Sequence, residues 1–218
     1  MPRAFGWEKT KKSKKGLLLK KKDAFVLCAI TLAAGLILGC IYELTKGPIA
    51  VQNAQAEAAA FAEVCPASET FDTETYEVAV EELKDTELAE GAFGKVSIDK
   101  AAAGYDASGN LTGYVICTTS GEGYGGDLSI ALGLDTKGCV TGISFLTLQE
   151  TAGFGMNADT PEFKNQYIGV TTDRFEVTKT GAVKENEIDA LSGATISSKA
   201  VTNAVNAALY FYQQYMAE

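Results

Sequence analysis

The chain has 218 residues, a formal net charge of −9 and no histidine. Without His it lacks the commonest metal ligand and the usual general base, which excludes a zinc hydrolase and a Ser-His-Asp enzyme. The charge is split: residues 1–23 hold nine Lys or Arg against Glu8 and Asp23, a net of +7, so the remainder carries −16. An acidic body of that size argues against a nucleic-acid partner.

In chain order, residues 1–23 read as a basic tail with little core-forming pattern. Ala24 to Tyr42 contains no charged residue. As a helix this run of about 19 residues rises about 28 Å, close to a bilayer core. Residues 24–44 are therefore the expected transmembrane helix. Lysines crowd its N-terminal side, so the positive-inside rule puts the N-terminus in the cytoplasm and the acidic body outside. Ile37-Leu38-Gly39-Cys40 offers a second reading as a loose lipoprotein box, with Cys40 lipidated; Leu38 and the long tail before it fit that pattern poorly. A cleaved signal peptide fits worse, because the triplet Ala54-Gln55-Ala56 lies well past the apolar run.

Thr45-Lys46-Gly47-Pro48 breaks the pattern, and Pro48 suits the first turn of a new helix. Residues 45–66 then read as a juxtamembrane helix ended by Pro66, and residues 67–218 as one domain. Glu69 to Val80 has enough Thr, Tyr and Val for a strand. From Lys95 the period is two, and Val96–Ala102, Leu111–Thr119, Asp127–Leu134 and Val140–Leu146 read as strands. Turn signals at 106–109, 121–126 and 135–138 make them an antiparallel meander. A helix is expected from about Thr160-Pro161-Glu162, with Thr160 as cap, then a short strand at Arg174–Thr178. Val201, Val205, Ala208, Leu209 and Tyr212 recur at helical spacing within Lys199–Tyr215. Sheet plus separate helices is an α+β architecture. None of the five cysteines forms a C-x-x-C pair, so no zinc or iron–sulfur site is indicated. Cys65, Cys117 and Cys139 are expected as free thiols, with one disulfide left open.

Three stretches hold candidate site residues. Asp189-Ala-Leu-Ser-Gly-Ala-Thr-Ile-Ser-Ser198 places Ser192, Thr195, Ser197 and Ser198 around Gly193 at a helix start. Such a cluster is what an ordinary N-cap looks like. It is also where free backbone N–H groups and the helix dipole favour a phosphate. Gly121-Glu-Gly-Tyr-Gly-Gly126 joins two strands, as a flexible hairpin loop or as backbone lying against a flat ring or a phosphate. Gln149-Glu-Thr-Ala-Gly-Phe-Gly155 leaves the last strand of the meander as an ordinary loop or as a second ligand contact.

The order acidic-x-x-Ser-Gly-Ala-Thr-x-Ser at 189–197 resembles the flavinylation motif of the FMN-binding domain family. That family includes the G subunit of the Rnf electron-transport complex and the C subunit of the sodium-pumping NADH:quinone reductase. Glu150-Thr-Ala-Gly-Phe-Gly155 resembles its second signature, Glu-Thr-Pro-Gly-Leu-Gly, with Ala152 and Phe154 replacing Pro and Leu. The family often has a His just upstream of that Glu, where this chain has Leu148 and Gln149. The Gly-Tyr-Gly-Gly loop and the lone anchor agree, over roughly residues 24–218, and the compact length looks most like the Rnf G subunit.

The resemblance implies an anchored extracytoplasmic FMN-binding domain, with FMN joined by a flavin transferase through its phosphate to Thr195. It places Ser192, Gly193, Ala194, Ser197 and Ser198 beside the phosphate. It sets Glu150, Thr151 and Gly153, with Tyr124 and Gly125, along the flavin. It also implies the other membrane subunits of the complex as partners. The expected role is an electron relay within an ion-translocating ferredoxin:NAD oxidoreductase, with no catalytic residue and no turnover of its own. A stand-alone extracytoplasmic FMN-carrying electron-transfer protein is the alternative.

Overall fold

The computed structural model describes residues 8–86, 88 and 92–217. Residues 1–7 of the basic tail lie outside them. The chain divides into two units, Met1–Ala54 and Gln55–Glu218.

The first unit is helical. Helix α1 runs Glu8–Val64, and the side chains described in this unit are exposed. It is the one helix, among the described residues, long and apolar enough to cross a membrane. Thr31 and Thr45 turn their hydroxyls onto carbonyls three and four residues back, which hides them from an apolar surround. The break expected at residues 45–48 is absent: α1 passes through Pro48 without interruption. An interior Pro costs about 3 kcal/mol, whereas stopping and renucleating a helix costs about 4 kcal/mol at a nucleation constant near 10⁻³. Continuation is the cheaper path, and the Glu43–Lys46 ion pair spans the turn before Pro48.

The second unit begins with the end of α1, residues 55–64. Strand β1, Thr70–Asp72, is followed by a 3₁₀ turn at Glu74–Tyr76 and helix α2, Glu77–Thr86. The strand expected over Glu69–Val80 therefore survives for three residues only. Asp72 ends it, accepting from the Glu74 N–H and the Thr75 hydroxyl and so starting the helical turn. Strands β2 (Val96–Tyr105), β3 (Leu111–Ser120), β4 (Leu128–Asp135) and β5 (Val140–Leu148) complete an antiparallel sheet in the order β1-β2-β3-β4-β5. The hairpin turns form where Asp-x-x-Gly predicts them: Asp106 and Asp135 each accept from backbone N–H groups across their own turn.

Alternation then sorts the two faces. Ile98, Ile116, Ile130, Leu132 and Leu134 pack under the C-terminal helix, α4 (Thr195–Tyr215). Ala102, Val115, Cys117 and Ala131 face Ala60, Phe61, Val64 and Cys65 at the end of α1. On that second face Gly133 and Gly142 are cross-strand partners. A Cβ on Gly133 would stand 2.2 Å from the Val64 carbonyl oxygen, and one on Gly142 2.9 Å from its Cα. The pair is a notch for the last turn of α1, and Thr141 Oγ1 donates to the Val64 carbonyl inside it. Glu63 fixes the same end, accepting from Ser144 and pairing with Lys164.

After β5 come a 3₁₀ turn at Gly155–Asp159 and the short helix α3, Pro161–Lys164. Thr160 precedes α3 as expected but does not cap it with its side chain; its hydroxyl donates to Asn157, and Pro161 at the first position leaves one donor fewer to satisfy. Strand β6 (Glu176–Thr178) pairs in parallel with β7 (Glu187–Asp189), a strand the sequence pattern did not mark. Buried Asn206 of α4 grips the Phe175 backbone at both its N–H and carbonyl. Helix α4 starts at Thr195, inside the hydroxyl cluster expected at a helix start and six residues before Val201, the first residue of the apolar spacing. All five cysteines are free thiols, and burial, with the charge of Glu57 second, pushes the Cys117 thiol up to about 12.

Candidate functional site

Three loops far apart in sequence meet at one cleft of about 490 Å³, within the range of small-molecule sites. Tyr124 comes from the β3–β4 loop. Glu150, Thr151, Phe154 and Gly155 follow β5. Gly193, Ala194, Thr195, Ile196 and Ser197 form the start of α4.

The loops are docked by absent side chains. A Cβ on Gly125 would lie 2.0 Å from the Gln149 carbonyl oxygen, so the β3–β4 loop can lie flat on the Gln149–Glu150 backbone. The Tyr124 N–H donates to Glu150 Oε1 at 2.8 Å and closes that contact. Gly193 has φ +75, a left-handed conformation that favours glycine, and its Cα faces the Phe154 ring. Gly155 is buried against Glu150 Oε2 and Ser197 Oγ, which approach its missing Cβ position to 2.5 and 2.6 Å.

Seven of the eleven expected residues line the cleft: Tyr124, Glu150, Thr151, Gly193, Ala194, Thr195 and Ser197. Four do not. Gly125 packs loop on loop. Gly153 turns the chain at φ +78 with its Cβ direction open. Ser192 is exposed beside the cleft. Ser198 is fully buried, and its hydroxyl is spent internally: it accepts from the Leu191 N–H and donates to the Ala194 carbonyl. Phe154, Gly155 and Ile196 line the cleft without having been singled out. Ile196 carries a readable signal, since it stands 55% exposed and off the apolar stripe of α4.

The ordinary capping reading does not describe this helix start. The N-cap is Ala194, among the poorer residues for that position, and it supplies no side-chain acceptor. The N–H groups of Thr195, Ile196 and Ser197 find no acceptor among the described residues. An anion placed there meets three free donors and the positive end of a 21-residue helix. Beside that first turn, on the same side of Gly155 as Ser197 Oγ, Glu150 Oε2 is buried with no hydrogen-bond partner among the described residues. Leaving such an acceptor unmade costs about 1–3 kcal/mol, and a ligand donor removes that cost. Free donors at the start of α4, an unpaired acceptor close by and the exposed side chains of Tyr124, Phe154 and Ile196 in the lining fit a flat ring joined to a phosphate.

Residues 123–210, which contain all three loops, match the FMN-binding domain family. The G subunit of the Na⁺-translocating ferredoxin:NAD⁺ oxidoreductase complex of Acetobacterium woodii is 31% identical over 200 residues, 88% of this chain and 91% of that one. The chain belongs to the G-subunit family of ion-translocating oxidoreductase complexes. Another family member, the G subunit of the ion-translocating oxidoreductase complex of Aliivibrio fischeri strain ES114, is 32% identical over 93% of this chain and 94% of its own. Among solved structures, the C subunit of the Na⁺-translocating NADH-quinone reductase of Parabacteroides distasonis aligns over 56% of this chain and 63% of that one. Its identity is 24% and its TM-score 0.45. Within this G-subunit family member the matched region begins at the Tyr124 loop and ends in α4, so it contains the whole cleft.

Proposed function

We propose that this chain is a membrane-anchored flavoprotein subunit that relays electrons in an ion-translocating ferredoxin:NAD⁺ oxidoreductase complex, with FMN esterified through its phosphate to Thr195. The observation that carries the reading is the uncapped start of α4. Thr195, its first residue, lines the cleft together with three free N–H donors and the unpaired Glu150 oxygen. The charge split supports a cytoplasmic N-terminus and an extracytoplasmic C-terminal domain. Other membrane subunits of the complex are the partners, and a flavin transferase acts during maturation.

Bound FMN supplies one- and two-electron redox chemistry. The chain's residues do the holding. The first turn of α4 takes the phosphate charge, Tyr124, Phe154 and Ile196 exclude water from the ring, and Glu150 Oε2 accepts from a ligand donor. Attachment needs an activated donor, a flavin dinucleotide. In that transfer Thr195 Oγ would be the acceptor: its bond to the FMN phosphorus would replace the phosphoanhydride bond, with the nucleoside monophosphate as leaving group and the hydroxyl proton going to a base on the transferase.

Trypsin is expected to release Glu185–Lys199 as a fluorescent peptide heavier by one FMN less one water, with fragmentation placing the mass on Thr195. Thr195→Ala is expected to give a folded, membrane-bound and colourless protein. Covalent flavin on that variant, made with the transferase present, overturns the attachment. Activity in the cytoplasm of a reporter fused after Glu218 overturns the orientation.

A further inference from the structure

The segment Asp189–Ser198 is held at both ends by two adjacent residues of another part of the fold. Gln166, two residues past α3, accepts from the Asp189 N–H through Oε1 at 2.6 Å and donates from Nε2 to the Asp189 carbonyl at 3.5 Å. Tyr167, fully buried, meets Thr202 Oγ1 at 2.7 Å, and Thr202 donates to the Ser198 carbonyl at 2.9 Å. The Thr202 hydrogen is thereby used, so Tyr167 is the donor of that pair. Burial raises the Tyr167 hydroxyl well above its ordinary range, and it keeps its proton. Inside the segment, Ser198 Oγ ties the Leu191 N–H to the Ala194 carbonyl across the turn that precedes Thr195. Neither Gln166 nor Tyr167 lines the cleft, and Thr195 Oγ1 has no partner among the described residues.

We propose that Gln166 and Tyr167 are positioning residues for flavinylation: they hold Asp189 and Ser198 so that the turn between them presents the Thr195 hydroxyl in the one form the transferase accepts. This rests on Thr195 as the acceptor. Gln166 sets where the chain leaves β7. Tyr167, through Thr202, sets where α4 begins. Between these fixed points the Leu191–Ala194 turn has little freedom. If an acceptor is competent for only a fraction of the time, its apparent affinity falls by that fraction, while the chemistry once bound is unchanged.

The test uses the full-length protein in detergent with the transferase and flavin dinucleotide, following covalent flavin by in-gel fluorescence. Gln166→Ala is expected to raise KM for this protein about tenfold with kcat unchanged, and Tyr167→Phe, which keeps the buried ring, about threefold. Gln166→Glu retains the acceptor for the Asp189 N–H but loses the Nε2 donor to the Asp189 carbonyl, and is expected to fall between Gln166→Ala and the original protein. Ile143→Val in β5, which lowers stability away from the segment, is expected to leave KM at its original value. Wild-type KM in both Gln166→Ala and Tyr167→Phe, or faster labelling, overturns the proposal; so does an equal loss in Ile143→Val. Covalent flavin on Thr195→Ala removes the acceptor itself. A blank Thr195→Ala beside unaffected Gln166→Ala and Tyr167→Phe removes only the positioning role.

Discussion

The two faces of the sheet are covered by opposite means. Helix α4 fills one face with volume: thirteen of its residues are buried, Phe211 and Leu209 among the largest. The end of α1 covers the other with Ala60, Phe61 and Val64, with Cys65 directly after them, and gets close because Gly133 and Gly142 present no side chain. The first face is stabilised by apolar area removed from water. The second is stabilised by backbone approach, with the Val64 carbonyl bonded by Thr141 and Glu63 tied to Ser144 and Lys164. A truncation therefore damages the first face and an added atom the second.

The largest effect is expected from Phe211→Ala, a fully buried ring on the α4 face, at about 3–5 kcal/mol in denaturant unfolding. A loss under about 1 kcal/mol would mean that α4 is not the main support of that face. Gly133→Ala comes next, at about 1–3 kcal/mol from overpacking against Val64. It is also expected to speed hydrogen exchange at the end of α1, and unchanged exchange there would remove the notch as a cause. Thiol labelling is a gentler probe of the same contrast. At about pH 8 the half-buried Cys139 is expected to react with maleimide in the native protein. Cys117, buried under the α1 end and held protonated with its pKa near 12, is expected to react only on unfolding. Rapid native labelling of Cys117 would show that this face opens.

The smallest effect is acid sensitivity in the turns that join the strands beneath both helices. The Asn110 side chain, with the Asn110 and Ser108 N–H groups, holds the exposed Asp106 carboxyl below its ordinary 3.8. A carboxyl lowered in the folded state adds stability that is present above 3.8 and lost as pH falls through the lower folded value. Asp106→Asn is expected to lower stability by a constant amount near neutrality, where the ionised carboxyl contributes fully, and to flatten unfolding against pH below 3.8. An identical acid limb in both proteins contradicts this.

The meander was legible because alternation and Asp-x-x-Gly turns are local signals, and each strand from β2 to β5 begins within one residue of its expected start. Helix α4 was legible in its middle from the apolar spacing and at its start from the hydroxyl cluster, but not in its cap, because capping rules look for Ser or Thr and the N-cap is Ala194. Glu69–Val80 misled because one Asp72 side chain outweighs strand propensity. Strand β7 and the Gln166–Asp189 bonds depend on pairing across many residues, which no local pattern carries. In the cleft, Glu150, Thr151, Tyr124 and the 193–197 turn could be named from their motifs. The separation of Ser197, which lines it, from Ser198, which turns inward, follows from the hundred-degree step of the helix once its start is known. A glycine in a sequence gives no hint of what will lie over it, so the Gly133–Gly142 notch had no signature.

That notch also sets an order of events during synthesis. Val64 leaves the ribosome 77 residues before Thr141, and Glu63 leaves 81 before Ser144. The partners of the other face are equally distant: Thr118 waits 86 residues for Ala204. The hairpins β2–β3, β3–β4 and β4–β5 need only neighbours, so they close first. The nascent sheet therefore spends an interval with both faces bare. The end of α1 waits without a seat until β4 and β5 have paired. The face that α4 covers is closed after the hairpins, when the residues of α4 arrive, and with it the segment that carries Thr195.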